Sequence, residues 1–491
     1  MRFKYIALLI VSFAISAYAH VGSPDVFFQG DAGPYHIYVT VRLPNAIPGM
    51  AVVEVRSSAT GISGVSIIPL YVGTEKALPP PPEKLENCGS DSHCFTGSFW
   101  LMESGSWQLQ FHVNGTTGSG STVVPVPAAA RSTVPMPKAL GLMLFVLIGV
   151  LAFGAVGIVG TAIRESQLPW GTMPSVSDRK RARGAMMFSG AIVGGILLLG
   201  AAWWAYEARK NAREVLYQPP PLNVSVEANS RLLLSWNYSR LRDFLNYGGT
   251  DHLMPDHGHL MHLAVLRMPH MDAFYHLHPT QTGEHEFSLD LPSVPDGDYE
   301  LFADIVHGSG FAETLTAKVT LQGVHGTALT GDNAGGPTVP ISGATSERTV
   351  SRFPDGSSLV WEHEDKALRA NKLEVFRFEA RGQDGKPLTD LENYMGMAAH
   401  AFIVRDDGTV FAHVHPSGSA SMAAMEMAEK TLNPSSPDQG SMGMTMMPSA
   451  PVGPEISFPY GFPAAGKYRL FVQIKRNGVV ETGVFDTVVN N

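Results

Sequence analysis

The chain has 491 residues, 44% of them apolar and 16% charged, with 50 Gly and 35 Pro. That mixture fits membrane helices joined to turn-rich β domains better than a soluble α/β enzyme. A net charge of −9 without a long basic run argues against nucleic acid as a partner.

Arg2 and Lys4 precede an apolar run over 5–14 and then Ala17-Tyr18-Ala19. This is the pattern of a secretory signal peptide over 1–19, which makes His20 the first residue of the mature chain. Residues 20–135 read as an extracytoplasmic β-sandwich, with strands expected over 35–41, 51–55, 66–72, 98–102 and 107–113 between Pro and Gly breaks. The only two cysteines, Cys88 and Cys94, are expected to form a local disulfide, as suits an exported protein.

Two uncharged, mostly apolar stretches, 139–163 and 185–206, are long enough to cross a bilayer. The segment between them, 164–184, carries Arg164, Arg179, Lys180, Arg181 and Arg183 and is expected in the cytoplasm. Both large portions would then lie on the periplasmic or extracellular side of a bacterial inner membrane. Gly154, Gly157, Gly160, Gly190 and Gly194 permit close helix packing and hence a homo-oligomer. Neither span holds a charge, which argues against a transporter.

From residue 216 the pattern returns to β. A first unit, 216–323, and a second, 346–491, are separated by a Gly-, Thr- and Asp-rich linker over 324–345. Each unit ends alike, Gly297-Asp298-Tyr299-Glu300-Leu301-Phe302 against Gly466-Lys467-Tyr468-Arg469-Leu470-Phe471. The units therefore read as one β-sandwich used twice, the second with an insertion over 418–453.

The duplicated stretch with chemical content is His257 to Pro279. His262, His276 and His278 are matched by His400, His413 and His415, and His257 and His259 by Met395 and Met397. Residues two apart on a strand share a face, so each His-x-His pair projects together. Three imidazoles suit Cu(II), Zn(II) or Ni(II), and thioethers shift the preference to Cu(I). Met442, Met444, Met446 and Met447 sit in loop composition without other large apolar residues, as soft ligands for Cu(I) would. His20 offers an α-amino group and an imidazole, with His36 or His112 as a possible partner in a histidine brace. His252, His270 and His285 read as surface residues, and His307 as a residue without a role. Asp256 and Asp272 are candidates to orient imidazoles.

At Met261-His262-Leu263, at Ala273 to Pro279, at Tyr394 to His400 and at Phe411 to Pro416, the chain resembles exported β-sandwich proteins of the YtkA and FixH-like type. More loosely it is similar to CopC-like periplasmic copper carriers. The resemblance implies immunoglobulin-like domains and copper handling outside the cytoplasm, and does not imply catalysis. The expectation is thus of all-β immunoglobulin-like sandwich domains plus two transmembrane α-helices. They would form a membrane-anchored copper-binding protein that captures copper or passes it to a receiving protein, an oxidase or an efflux complex. Zinc is the alternative metal. A histidine-brace copper enzyme at His20 and a purely structural or interaction protein are the rival readings.

Overall fold

A computed structural model describes residues 24–72, 79–228, 230–237, 252–340, 348–363, 367–432 and 452–491. His20 and Met442 to Met447 lie outside them, so the expectations for the N-terminal site and the methionine loop have no structural counterpart. The chain divides into two compact units, one formed by 1–129 with 218–491, the other by Ala130–Tyr217.

The smaller unit holds two helices, Lys138–Glu165 and Val176–Val215, both apolar enough to cross a membrane. The second opens on a capping box between Ser175 and Asp178, so Arg179, Lys180, Arg181 and Arg183 lie in its first turns rather than in a loop. Its 40 residues make it about 60 Å long, twice a bilayer's hydrocarbon core, so only its apolar middle fits inside one.

The larger unit is built from β-sheets. In its N-terminal part the strands Val26–Ala32, Tyr35–Arg42, Gly49–Ser57, Asp91–Leu101 and Glu86–Cys88 form one sheet. Glu83–Lys84, Ile62–Tyr71, Gly105–Gly115 and Gly118–Ala128 form the other. Cys88 and Cys94 are disulfide-bonded. This part is joined to the second repeat through backbone: Gln29 N–H donates to Ser417 O (2.8 Å) and Ser419 N–H to Phe27 O (2.9 Å). Gly418 permits that approach, because a Cβ there would lie 2.0 Å from the Phe27 carbonyl oxygen.

Each C-terminal repeat is a pair of sheets around its own core. In the first, Asn223–Val226, Arg231–Ser235, Glu286–Asp290 and Thr280–Gly283 face a sheet containing Leu253–Met254, Gly297–His307, His262–Met268 and Phe274–Leu277. Leu232, Leu234 and Phe287 meet Leu263, Val265 and Leu301 between them. The second repeats the plan, with Gly466–Arg476, His400–Arg405 and Phe411–Val414 adjacent in the corresponding sheet.

What positions the site is the other face of those two sheets. Along His262–Met268, Leu263 and Val265 enter the repeat's own core, while Ala264 and Leu266 face the opposite repeat. Ala401 and Ile403 enter the second core, and Phe402 and Val404 face the first repeat. The shared layer is aromatic and two-fold in pattern: Phe274 stacks on Phe471 (4.2 Å) and Phe302 on Phe411 (4.3 Å). Arg469, almost fully buried, pins the layer's edge by pairing with Asp486 and donating to the carbonyls of Met271, Val339 and Pro340. The segment 324–345 does more than link. Ala334–Gly335 adds a strand beside Phe274–Leu277, and the residues before it close over the histidines.

Candidate metal centre

The two repeats bring eight histidines to one end of their shared layer: His257, His259, His262, His276, His278, His400, His413 and His415. Register places them. His262 sits opposite Asp304 and His276 opposite Ala264, so His262 and His276 lie diagonally on the interface face. In the second repeat His400 sits opposite Gln473 and His413 opposite Phe402, the same diagonal. Two equivalent turns complete the set. Asp256 and His259 exchange both backbone hydrogen bonds around His257 and Gly258, and Tyr394 and Met397 do so around Met395 and Gly396. All four central residues have positive φ (51° and 83°, 50° and 79°), as a two-residue type I′ turn requires. A non-glycine residue there costs roughly 1 kcal/mol, and both turns accept it at the residue that reaches across the interface.

Each ring is anchored by one nitrogen and leaves the other bare. His262 donates Nε2–H to Asp256 O (2.9 Å), and His276 donates Nδ1–H to Gln473 Oε1 (2.9 Å). Their remaining nitrogens face each other at 3.1 Å. His400 donates Nε2–H to Tyr394 O (3.2 Å), and His413 Nδ1 lies 3.2 Å from Asp304 Oδ2, again leaving two nitrogens 3.1 Å apart. His257 donates Nδ1–H to Met395 O (2.8 Å) and His415 to Ala420 O (3.1 Å), and their Nε2 atoms lie 3.3 Å apart. His278 is held at Nδ1 by Asn333 Oδ1 (3.1 Å), and its buried Nε2 has no hydrogen-bond partner among the described residues. Anchoring one ring nitrogen on an oxygen is how a protein fixes the tautomer and aim of a metal-ligating imidazole.

Two lone pairs about 3 Å apart repel unless a cation lies between them. Two nitrogens each about 2.0–2.1 Å from one metal ion are themselves about 3 Å apart at the angles of four-coordination. The facing pairs therefore have the spacing of ligands. Two groups of three can hold a metal ion, their ligand atoms all within 4.8 Å of one another: His262, His276 and His278, and His257, His400 and His415. The second group crosses the interface, taking His257 from the first repeat.

Burial keeps these rings neutral, the form that binds metal. Desolvation lowers His262 to about 4 and His415 to about 3, and holds His276, His278, His400 and His413 well below the ordinary histidine range. Burial also pushes Asp304 up to about 7, against the hydrogen bond its carboxylate accepts from the Thr314 hydroxyl.

The sequence expectations are partly redistributed. The structure brings His262, His276 and His278 of the first copy together. The second set is not a self-contained copy: His257 joins His400 and His415, and Met395 meets the site through its carbonyl oxygen. Met397 is buried in the same turn. His259 stacks on His278 (3.9 Å) and reaches Asp332 (3.3 Å), and so supports a ligand rather than completing a triad. Asp256 holds His262 by its backbone, while its carboxylate accepts from Ala423 N–H in the helix Met422–Leu432. Asp272 pairs with Arg267 and orients no imidazole. His307 is buried against Glu313 at 2.9 Å, outside both groups. His252 and His270 are exposed, as expected, whereas His285 is half-buried against Trp236. His36 pairs with Asp31 in one N-terminal sheet and His112 with Ser121 in the other.

Tyr394, Gln473, Asp304, Asn333 and Asp332 are the anchors that sequence reading missed. A signal existed for two of them. Asp304 and Gln473 stand at the same step after Gly297 and Gly466, each the polar residue inside an apolar run, 301–306 and 470–474.

Residues 352–491 match a domain of unknown function, DUF8832, which covers the second repeat with His400, His413 and His415 but not the first. No curated protein sequence matches the chain. Among solved structures it is similar to latent PorU from Porphyromonas gingivalis (9% identity, 95% of this chain, 34% of that one, TM-score 0.14). It is also similar to native E. coli alpha-2-macroglobulin (8% identity, 96% of this chain, 23% of that one, TM-score 0.19). The chain thus spans well under half of these proteins, and nothing about fold or function follows from likenesses this slight.

Proposed function

We propose that this chain is a membrane-anchored copper-binding protein whose metal centre lies between two duplicated, immunoglobulin-like β domains on the exported side of a bacterial inner membrane. The observation that carries the reading is the set of bare, buried ring nitrogens at 3.1–3.3 Å, each ring anchored through its other nitrogen. Neutral imidazole sets take first-row divalent ions, and copper stands highest in their affinity order. The resemblance to YtkA, FixH-like and CopC-like proteins supports the same metal. The disulfide supports an oxidising compartment. The basic residues from Arg164 to Arg183 support a cytoplasmic turn between the spans, with the signal-like leader agreeing. Capture of copper for delivery to another protein fits best, because every ligand here is a side chain already held in place.

The test is copper uptake by the purified full-length protein, measured by metal analysis after competition with a chelator. Wild type retains copper, and replacing His276 and His400 together abolishes retention. A wild-type protein that keeps none sinks the proposal, and selective retention of zinc moves the assignment to that metal.

A further inference from the structure

The two triads need not act as separate sites. His257 of one lies edge-on to His262 of the other at 5.8 Å between ring centroids, and His276 lies 6.3 Å from His400. Between them stands His413, which belongs to neither triad. Its ring is 5.5 Å from His262 and 5.6 Å from His276 on one side, and 5.4 Å from His400 on the other. Its Nδ1 is fixed against Asp304 and its Nε2 lies 3.1 Å from His400 Nδ1, so Nε2 is offered to the centre.

The anchors cross the interface in both directions. Gln473 of the second repeat holds His276 of the first, Asp304 of the first holds His413 of the second, and Met395 of the second holds His257 of the first. Neither triad is complete in its geometry without the other repeat. Two ions held by these rings would share a wall that includes the imidazole of His413, itself backed by the ring of Phe402 (4.4 Å).

We infer that the two triads form a single dinuclear centre whose two ions lie close enough to couple, with His413 Nε2 standing between the triads as a further ligand to one of them. This rests on the metal-binding reading above and goes beyond it in stoichiometry and electronic structure.

The experiment is copper(II) titration of the full-length, detergent-solubilised protein. Bound copper is counted by metal analysis, and the unpaired spins of the same samples by electron paramagnetic resonance. Two coppers per chain, with fewer spins than coppers or with a half-field transition, support the inference. Two coppers with a fully additive spin count and no half-field transition overturn it while leaving the metal-binding reading intact. Saturation at one copper overturns it in the same way. No bound copper removes the metal-binding reading itself.

Discussion

Gln473 is not itself a ligand, yet it fixes one. Its Oε1 accepts Nδ1–H of His276 at 2.9 Å, and the same nitrogen has a weaker alternative in Tyr394 Oη at 3.2 Å. Tyr394 Oη in turn donates to Asp332 O at 2.6 Å, which leaves its oxygen free to accept. Removing the partner of a ligating imidazole typically costs 10–100-fold in metal affinity. Gln473→Leu leaves the tyrosine in place, so the loss should fall near tenfold, or about 1.4 kcal/mol. Adding Tyr394→Phe removes the second acceptor and should carry the loss toward a hundredfold. The assay is competition against a chromophoric copper chelator, with thermal unfolding of the metal-free proteins as the control for folding. Only the ion held by His262, His276 and His278 should weaken. Unchanged affinity in both variants, with the metal-free fold intact, would refute the claim that His276 is presented as a ligand.

The pH dependence of the metal-free protein has a definite sign. The folded-state values of His262 (about 4) and His415 (about 3) lie below the ordinary 6.5, so under pH 6.5 the unfolded chain takes up protons that the folded one refuses. Stability therefore falls as pH drops from 6.5 toward 4, by up to about 1.4 kcal/mol per unit for each such histidine, with Asp304 opposing as a single group. Thermal unfolding of the metal-free protein between pH 7 and 5 should show a falling midpoint; a flat profile contradicts the burial argument. Phe274→Ala strips a stacked ring from the inter-repeat layer and should cost about 3–5 kcal/mol, read by denaturant unfolding of the full chain, with copper affinity falling alongside. His36→Ala and His112→Ala should leave the copper count of the described centre unchanged, and a loss of one copper in either would restore the N-terminal site as a ligand set.

How much of this was legible beforehand can be argued from particular residues. The duplication and the His-x-His pairs were readable because a period of two on a strand is short-range information. The partner of each pair was not. In His262–Met268 both faces are buried, one in the repeat's own core and one against the other repeat, so alternation of apolar and polar residues is erased and the facing direction cannot be read. That is why the second site was assigned to one repeat when it takes His257 from the other. The anchors were hidden for a related reason. Asp332 and Asn333 lie in a stretch whose composition is that of a linker, and only the strand pairing of Ala334–Gly335 brings them over the rings. The two long apolar helices, both apolar enough to cross a membrane, were plain from length and composition, because an uncharged apolar run is short-range information.

Imidazole nitrogens as the copper ligands are read directly by X-ray absorption at the copper edge of the loaded, full-length protein. It should show at least three nitrogens per copper at about 2.0 Å, with the outer-shell scattering of imidazole rings. A shell dominated by oxygen or by sulfur, or copper lost to a weak chelator before the measurement, would contradict it.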